Sequence, residues 1–199
     1  MILGVTGSPG SGKTTVANLL VKHGAVIVDV DLAGKWVADH VIAVRQQIRH
    51  EFGADLFDAK GNLDRKRLGT MVFSDRVKLE KLNHIIHPYM INRVRGQIIK
   101  YQYRSEYTLI VVDAALLFEL SLSREMDQVL VVQADLETRI NRVCERHGVS
   151  ADKARQMTLA QWPQEKKITG ANIVLDNSGE LSDLEKQVDI IVKQLTEIY

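Results

Sequence analysis

Residues 7–14 read GSPGSGKT, a complete phosphate-binding loop of the form G-x-x-x-x-G-K-T. The apolar stretch ILGVT at residues 2–6 precedes it, and a helical pattern of apolar residues follows from Lys13. Strand, glycine-rich turn and helix in this order are the context in which the motif binds phosphate. The alternative is a glycine-rich turn that merely joins a strand to a helix, and the Lys-Thr ending disfavours it. The sequence therefore predicts a nucleoside triphosphate site.

The residue types in the loop match the chemistry of polyphosphate binding. Glycines let several backbone N–H groups point at the phosphates, which larger side chains would obstruct. The helix that starts at Lys13 adds the positive end of its dipole. Lys13 can reach the β- and γ-phosphates, and the hydroxyl of Thr14 can bind Mg²⁺. The residues predicted to bind the nucleotide in this loop are Gly10, Ser11, Gly12, Lys13, Thr14 and Thr15.

Length and composition are those of one compact domain. The chain has 199 residues, 45% of them hydrophobic, and its 26 basic and 25 acidic side chains give a net charge of +1. This balance shows no bias toward polyanions, so nucleic acid is not an expected partner. No apolar run could span a bilayer, the one cysteine, Cys144, cannot form an internal disulfide, and Met1 lies only six residues before Gly7. We therefore expect a cytoplasmic protein with no membrane segment and no targeting extension.

Strand and helix patterns alternate, which predicts an α/β fold: a parallel sheet flanked by helices, of the P-loop NTPase type. The candidate strands are short apolar runs, as expected for strands buried on both faces. They cover residues 2–6, 25–28, 108–112, 128–132 and 172–175. The last helix is predicted to pack on the core through Leu181, Leu184, Val188, Ile191, Leu195 and Ile198.

Two stretches interrupt this alternation. Residues 31–107 show no strand pattern and look helical, with breaks near residues 53–62 and at His87-Pro88. They are too long for one crossover helix, so we predict an inserted helical subdomain, which in nucleotide kinases commonly carries the second substrate. Residues 139–170, dense in Arg and Lys, are predicted to form a helical lid. The predicted nucleotide-binding core comprises residues 1–30, 108–138 and 171–199.

Acidic residues follow two of the strands. Asp29 and Asp31 come after the second strand, where a carboxylate can accept the proton of an attacking hydroxyl. Capping of the following helix is the alternative role for Asp31. Strand alternation would put both side chains on the same side, so spacing does not choose between them. Asp113 closes the run LIVVD and is expected to hold Mg²⁺, directly or through water, or to cap the next segment.

Arg139, Arg142 and Arg146 recur at spacings of three and four, so one helix face would present all three. Guanidinium groups in a closing lid can stabilise the charge that spreads over a transferring phosphoryl group. A solvated basic helix face is the alternative. The six histidines show no metal-ligand spacing and no cysteine cluster exists, so we expect no zinc site.

Further blocks resemble the dephospho-coenzyme A kinases, in that family's order and nearly from end to end. The first half contains VDVD at residues 28–31, GNLDR at 61–65, VFS at 72–74 and HP at 87–88. The second half contains DAALLFE at residues 113–119, PQEK at 163–166 and DNSG at 176–179. The blocks together are far more specific than any one of them.

The resemblance implies a kinase with a phosphate-loop core, a helical coenzyme A-binding domain and a mobile lid. This family transfers the γ-phosphoryl group of ATP to the ribose 3′-hydroxyl of dephospho-coenzyme A, the last step of coenzyme A synthesis. By motif position, Asp31 matches the catalytic aspartate, Arg142 and Arg146 match lid arginines, and Asn177 lies in the loop near the adenine. The residues implied to act on the acceptor are Asp31, Lys35, Asp64, Arg65, His87 and Phe118.

Three positions depart from the family pattern. Lys35 stands where many members have Arg, which keeps the charge but loses the bidentate fork. Ala115 replaces the usual Pro, and His147 stands where Asp is common. None of the three removes a group that the chemistry requires.

Two other functions are compatible with the loop. Another small-molecule or nucleoside monophosphate kinase of the same fold would differ only in its acceptor region, and the long insertion favours a bulky acceptor. A nucleotide-dependent switch is disfavoured because no Asn-Lys-x-Asp signature is present. We expect a small-molecule partner, dephospho-coenzyme A, and a monomer or weak homo-oligomer.

Overall fold

The computed structural model describes residues 1–104, 106–159 and 161–198, except for the side chains of residues 196–198. Its strands are β1 (Ile2–Gly7), β2 (Val26–Asp29), β3 (Ile110–Asp113), β4 (Gln128–Gln133) and β5 (Ile173–Asp176). They form one sheet in the order β2-β3-β1-β4-β5. β1 pairs in parallel with β3 and β4, and β4 pairs in parallel with β5. The α/β fold and the five predicted strands are confirmed, with ends that differ by one or two residues.

Helices connect the strands. They are α1 (Lys13–Lys22), α2 (Val30–His40), α3 (Ile42–Phe52), α4 (Arg65–Phe73), α5 (Arg76–Arg104), α6 (Leu136–His147), α7 (Ala151–Leu159), α8 (Gln164–Thr169) and α9 (Leu181–Ile198). Short 3₁₀ turns lie at Ala54–Leu56 and Leu122–Glu125. No helix in the described ranges is long and apolar enough to cross a membrane.

The main core lies between the sheet and two helices, α1 and α9. Leu3 and Val5 of β1 are fully buried and share one apolar cluster with the buried faces of both helices. α9 contributes Leu184, Val188, Ile191 and Leu195, as predicted. The prediction is wrong for Leu181, which is 55% exposed because it stands at the first turn of α9. The side chain of Ile198 lies outside the described residues.

The chain divides into two units, Met1–Val28 with Ile98–Tyr199, and Asp29–Gln97. The second unit is helical, as predicted for the insertion, and has its own core, which includes Val37, Val44, Ile48, Phe52, Leu56, Leu68 and Val72. Its predicted break at residues 53–62 is confirmed. Gly53 there has a φ of 110° and is followed by the 3₁₀ turn and a bridge between Phe57 and Leu63.

The predicted break at His87-Pro88 is wrong, because α5 runs without interruption from Arg76 to Arg104. Proline removes one helical hydrogen bond and its ring crowds the preceding turn. Apolar residues before and after Pro88 are buried or packed against buried residues, among them Ile86 and Val94. We attribute the continuity of the helix to this packing on both sides of the proline.

The stretch predicted as a lid contains α6, α7 and α8. Ile140, Val143 and Ala154 form a small core between the first two of these helices, with Cys144 partly buried against it. The stretch clusters with the sheet unit and not as a separate body. Its helical nature is as predicted, and its action as a lid stays a prediction.

Candidate active site

The phosphate loop leaves β1 at Gly7 and enters α1 at Lys13. Gly10 and Gly12 have φ values of 80° and 90°, a left-handed conformation that favours glycine. A Cβ atom at Gly10 would lie 2.3 Å from the backbone oxygen of Arg139, and one at Gly12 would lie 2.0 Å from Nδ2 of Asn177. Neither position has room for a side chain. Close contact with the surrounding chain therefore defines the path of the loop.

The start of α1 offers groups suited to an anion. Gly12 occupies the N-cap position and provides no side-chain cap, which leaves the first-turn N–H groups for a ligand. Ser11 is fully buried, and its Oγ has no hydrogen-bond partner in the described part of the protein. Thr14 and Thr15 of the first turn are exposed. Polyphosphate oxygens would satisfy these donors.

Lys13 forms an ion pair with Asp113, and both side chains are nearly buried, with exposures of 14% and 5%. The pairing of β1 with β3 produces this contact, because it sets Asp113 opposite Val5, two residues before the loop. Each charge offsets much of the cost of burying the other, so loss of either partner would be destabilising. The cation predicted to contact phosphate is therefore held in place by the carboxylate predicted to hold the metal.

The residues present fit Mg²⁺. The Thr14 hydroxyl and the Asp113 carboxylate would supply oxygen ligands, which Mg²⁺ prefers. Within the described ranges no cluster of three or more His, Cys, Asp or Glu could hold a metal ion by itself. A small number of protein oxygens suits Mg²⁺, because this ion keeps several waters and takes its other ligands from phosphates.

Asn177 and Arg142 brace the loop from the side. Asn177 is 6% exposed, and its Nδ2 donates to the backbone oxygen of Ser11 at 2.8 Å. Nη1 of Arg142 donates to the backbone oxygen of Asn177 at 2.9 Å and lies 3.5 Å from that of Gly10. Two residues predicted to bind nucleotide and phosphoryl group are thus brought together against the loop.

The three arginines of α6 stand on one face of a continuous helix, as their spacing predicts, but they differ in burial. Arg139 is 6% exposed; its Nε donates to the backbone oxygen of Ala134 at 3.0 Å. Burial lowers the pKa of this guanidinium from its usual value, although the acidic neighbours Glu165 and Asp135 oppose the shift. Arg146, in contrast, is exposed. The hydrogen bond to Ala134 holds the Arg139 side chain beside the residue that follows β4, and the backbone of Arg139 lies close to Gly10 of the loop.

Asp29, the last residue of β2, and Asp31, two residues later, have different structural roles. Asp29 is the N-cap of α2, and its Oδ1 accepts the N–H of Leu32 at 2.8 Å. Asp31 lies in the first turn of α2 and is exposed. The capping role considered for Asp31 is therefore wrong and belongs to Asp29. The predicted alternation of the pair also fails, because β2 ends at Asp29 and the helix starts one residue later.

In the helical unit, three predicted acceptor residues form one local group. Asp64 is the N-cap of α4 and accepts the N–H of Arg67 at 3.0 Å. Arg65 pairs with Asp39 and donates to the backbone oxygen of Lys35 at 2.9 Å. The Arg65–Asp39 pair is about two-fifths exposed on each side, so a ligand of stronger charge can compete for the arginine.

Two further predicted acceptor residues lie elsewhere. His87 is half-buried on α5 beside His84 and Pro88. Burial lowers the pKa of His87, and the charge of His84 lowers it further. Phe118 belongs to the sheet unit, where its ring stacks in parallel on that of Trp162 with centroids 6.1 Å apart.

A family model described as dephospho-CoA kinase matches residues 1–183. Curated relatives with this name occur in Deinococcus radiodurans and Fusobacterium nucleatum. The first is 39% identical and aligns over 97% of this chain and 91% of its own, and the second is 36% identical over 95% of each. The chain belongs to the dephospho-CoA kinase family.

Several solved structures share the fold of this chain. The dephospho-CoA kinase from Campylobacter jejuni shares the fold, with a TM-score of 0.74 at 21% identity over 98% of this chain and 97% of its own. The protein TT1252 from Thermus thermophilus gives 0.80 at 33% identity with the same coverage. A shikimate kinase from Bacteroides thetaiotaomicron, at 12% identity over 98% of each chain, gives 0.57 and shows the fold alone.

Membership of the dephospho-CoA kinase family confirms the resemblance found in the motifs. The motifs do not predict the environment of Lys167. Lys167 lay in a run interpreted as part of a basic lid, yet it is fully buried and lies 3.5 Å from Glu119. The run PQEKK carries no signal for this burial, because only the packing of α8 against a distant segment produces it.

Proposed function

We propose that this chain transfers the γ-phosphoryl group of ATP to the ribose 3′-hydroxyl of dephospho-CoA, forming CoA and ADP in the last step of coenzyme A synthesis. The observation that carries the proposal is the preformed phosphate loop with its Lys13–Asp113 pair, in a chain of this family. Lys13 would take the charge of the β- and γ-phosphates, and the first-turn N–H groups of α1 would bind phosphate oxygens.

Thr14 and Asp113 would hold Mg²⁺, which neutralises charge on the β- and γ-phosphates when bound. Gly10, Ser11, Gly12 and Thr15 complete the proposed ATP site, with Asn177 beside the loop. The contact of Arg142 with this loop supports a role for its guanidinium near the transferring group. Arg146, exposed one turn later, would approach when the lid closes.

Asp31 is the proposed general base. It follows the end of β2 by two residues, and Asp29 already caps the helix. Its carboxylate would accept the 3′-hydroxyl proton as the oxygen attacks the γ-phosphorus. Lys35, Asp64, Arg65, His87 and Phe118 would bind the rest of the acceptor, with charge from Lys35 and Arg65 and apolar surface from Phe118.

An ADP-release assay tests the reaction. The purified chain is given ATP and Mg²⁺ with dephospho-CoA, AMP or shikimate in parallel, and a Lys13→Ala preparation controls for contaminating kinases. We expect acceptor-dependent ADP release with dephospho-CoA alone. Release with AMP or shikimate but not with dephospho-CoA would overturn the proposal in favour of another small-molecule kinase. A cytoplasmic location and a monomeric or weakly oligomeric state remain predictions.

A further inference from the structure

A buried charge network joins two segments of the sheet unit that are far apart in sequence. Lys167 is fully buried, and its Nζ donates to the backbone oxygen of Ala115 at 2.7 Å and to Oε1 of Gln161 at 3.0 Å. The same Nζ lies 3.5 Å from Oε1 of Glu119. The ammonium therefore has three oxygen neighbours for its three protons.

Glu119 connects the network to the backbone of Trp162. Its Oε1 also accepts the backbone N–H of Trp162 at 2.9 Å, while its Oε2 is buried without a hydrogen-bond partner in the described ranges. Burying two opposite charges yields little net stability, and hydrophobic residues of similar size often do as well. The hydrogen bonds of Lys167 and of Glu119 Oε1 nevertheless favour one arrangement of the segments that they join.

The segments joined here carry two aromatic rings. Phe118 lies next to Glu119, and Trp162 lies between Gln161 and the start of α8; their planes differ by 5°. A Cβ atom at Gly170 would lie 2.7 Å from the Phe118 ring, so backbone packs against that ring. Nζ of Lys166 lies 3.4 Å from the Trp162 centroid. Both rings are nevertheless only half-buried, which leaves apolar surface for a ligand.

We propose that Lys167 and Glu119 are positioning residues for the Phe118–Trp162 ring pair, and that through it they set the affinity for the acceptor and not for ATP. This inference rests on the proposed function, which places Phe118 at the acceptor. Lys167 is fully buried and the side chain of Glu119 is 18% exposed, so we infer that both act through the rings. A displaced ring pair would present its apolar surface at the wrong place, and small displacements of binding groups have large kinetic effects.

Two variants test the proposal. Glu119→Gln removes one charge with little change of shape, and Lys167→Met/Glu119→Gln removes both charges, so no buried charge is left unpaired. For each, we expect the KM for dephospho-CoA to rise about tenfold or more while the KM for ATP changes less than about twofold. Lys100→Met, an exposed lysine on α5, serves as the matched control. Equal increases in both KM values, or no increase in folded variants, would overturn the assignment.

A double-mutant cycle with Phe118→Ala separates positioning from a general structural effect. If the charges act through Phe118, adding the charge-neutral double change to Phe118→Ala should raise the acceptor KM no further, whereas additive increases would contradict the mechanism.

The fluorescence of Trp162 gives a direct readout of acceptor binding. The chain has two tryptophans, so the measurement uses a Trp36→Phe background. Dephospho-CoA should change the fluorescence emission of Trp162. In the charge-neutral variant this change should require higher dephospho-CoA concentrations. The same concentration dependence in both proteins would count against the proposal. Wild-type protein that does not phosphorylate dephospho-CoA would instead refute the proposed function.

Discussion

In the phosphate loop, Lys13 and Asp113 form an ion pair whose side chains are 14% and 5% exposed, whereas the helical unit Asp29–Gln97 keeps its pairs at the surface. There Arg65–Asp39 is 42% and 38% exposed, and Arg67–Asp55 is 55% and 61% exposed. Exposed pairs contribute about 0–1 kcal/mol to stability. Removing one partner of a buried pair costs about 3–5 kcal/mol, because the other charge is left unpaired.

The difference in exposure indicates that the phosphate loop is part of the folded core, whereas the charged residues of the helical unit are not. The loop is held by contacts that also hold the fold, such as Gly10 against Arg139 and Gly12 against Asn177. Substitutions there should therefore change stability and activity together. In the helical unit the charged residues are tied weakly, and a ligand can replace their partners at small cost. Substitutions there should change activity with little change in stability.

The largest effect is expected at Asp31, in the helical unit. Asp31→Asn should lower kcat by about 10²–10⁴, the range for a positioned general base, and leave ATP affinity nearly unchanged. Because Asp29 provides the cap of α2, the melting temperature should stay close to that of the wild type. Asp29→Asn is the matched control and should be milder, since Asn also caps helices well. A greater loss of turnover in Asp29→Asn would mean that the wrong carboxylate has been named.

Lys13→Ala should lower both turnover and stability. Turnover should fall about 10²-fold or more, because a preorganised cation is lost from the β/γ-phosphates. The free energy of unfolding should fall by up to about 3 kcal/mol, because the nearly buried carboxylate of Asp113 loses the cation with which it forms an ion pair. Chemical denaturation measures the second effect.

The neutral pair Lys13→Met/Asp113→Asn provides the control for this comparison. The double variant should recover much of the stability, because it carries neither charge of the pair. It should recover none of the turnover, because the ammonium group that would bind the phosphates is still absent. Wild-type stability in Lys13→Ala would show that the loop is no more tightly built than the helical unit. Activity within about threefold of wild type would refute the phosphate-loop assignment.

Much of this site follows from local sequence rules. The loop, its strand and its helix depend on glycine conformation and on apolar runs. What could not be predicted depends on packing between distant segments. Choosing Asp29 as the cap required knowing that β2 ends at that residue. The burial of Lys167, for example, involves a hydrogen bond across 52 positions of the chain. Helix continuity through Pro88 likewise reflects tertiary packing.

Arg142 should show a smaller effect than Lys13. Arg142→Lys keeps the charge but loses the planar fork that binds Asn177 and approaches Gly10. We expect kcat and kcat/KM to fall together by about tenfold, less than for complete loss of a stabilising donor. Arg146→Lys should also lower turnover and fold normally, because its side chain is exposed. Wild-type turnover in the double Lys variant would remove both arginines from the reaction.

The smallest effect is a dependence of stability on pH that arises from His87. Burial lowers the pKa of His87 in the folded chain, so between the folded value and the unfolded value of about 6.5 the unfolded chain binds more protons. Stability contributed by the neutral imidazole is therefore fully present above about pH 6.5 and is lost as the pH falls from there through the lower pKa of the folded chain. Urea unfolding at several pH values between 7.5 and 5.0 measures this slope. In His87→Gln the slope should be shallower, whereas His50→Gln, at an exposed histidine of α3, should keep the wild-type slope. A steeper slope in His87→Gln would mean that the folded helical unit binds the protonated imidazole, and that its interior is more polar than the burial of His87 indicates.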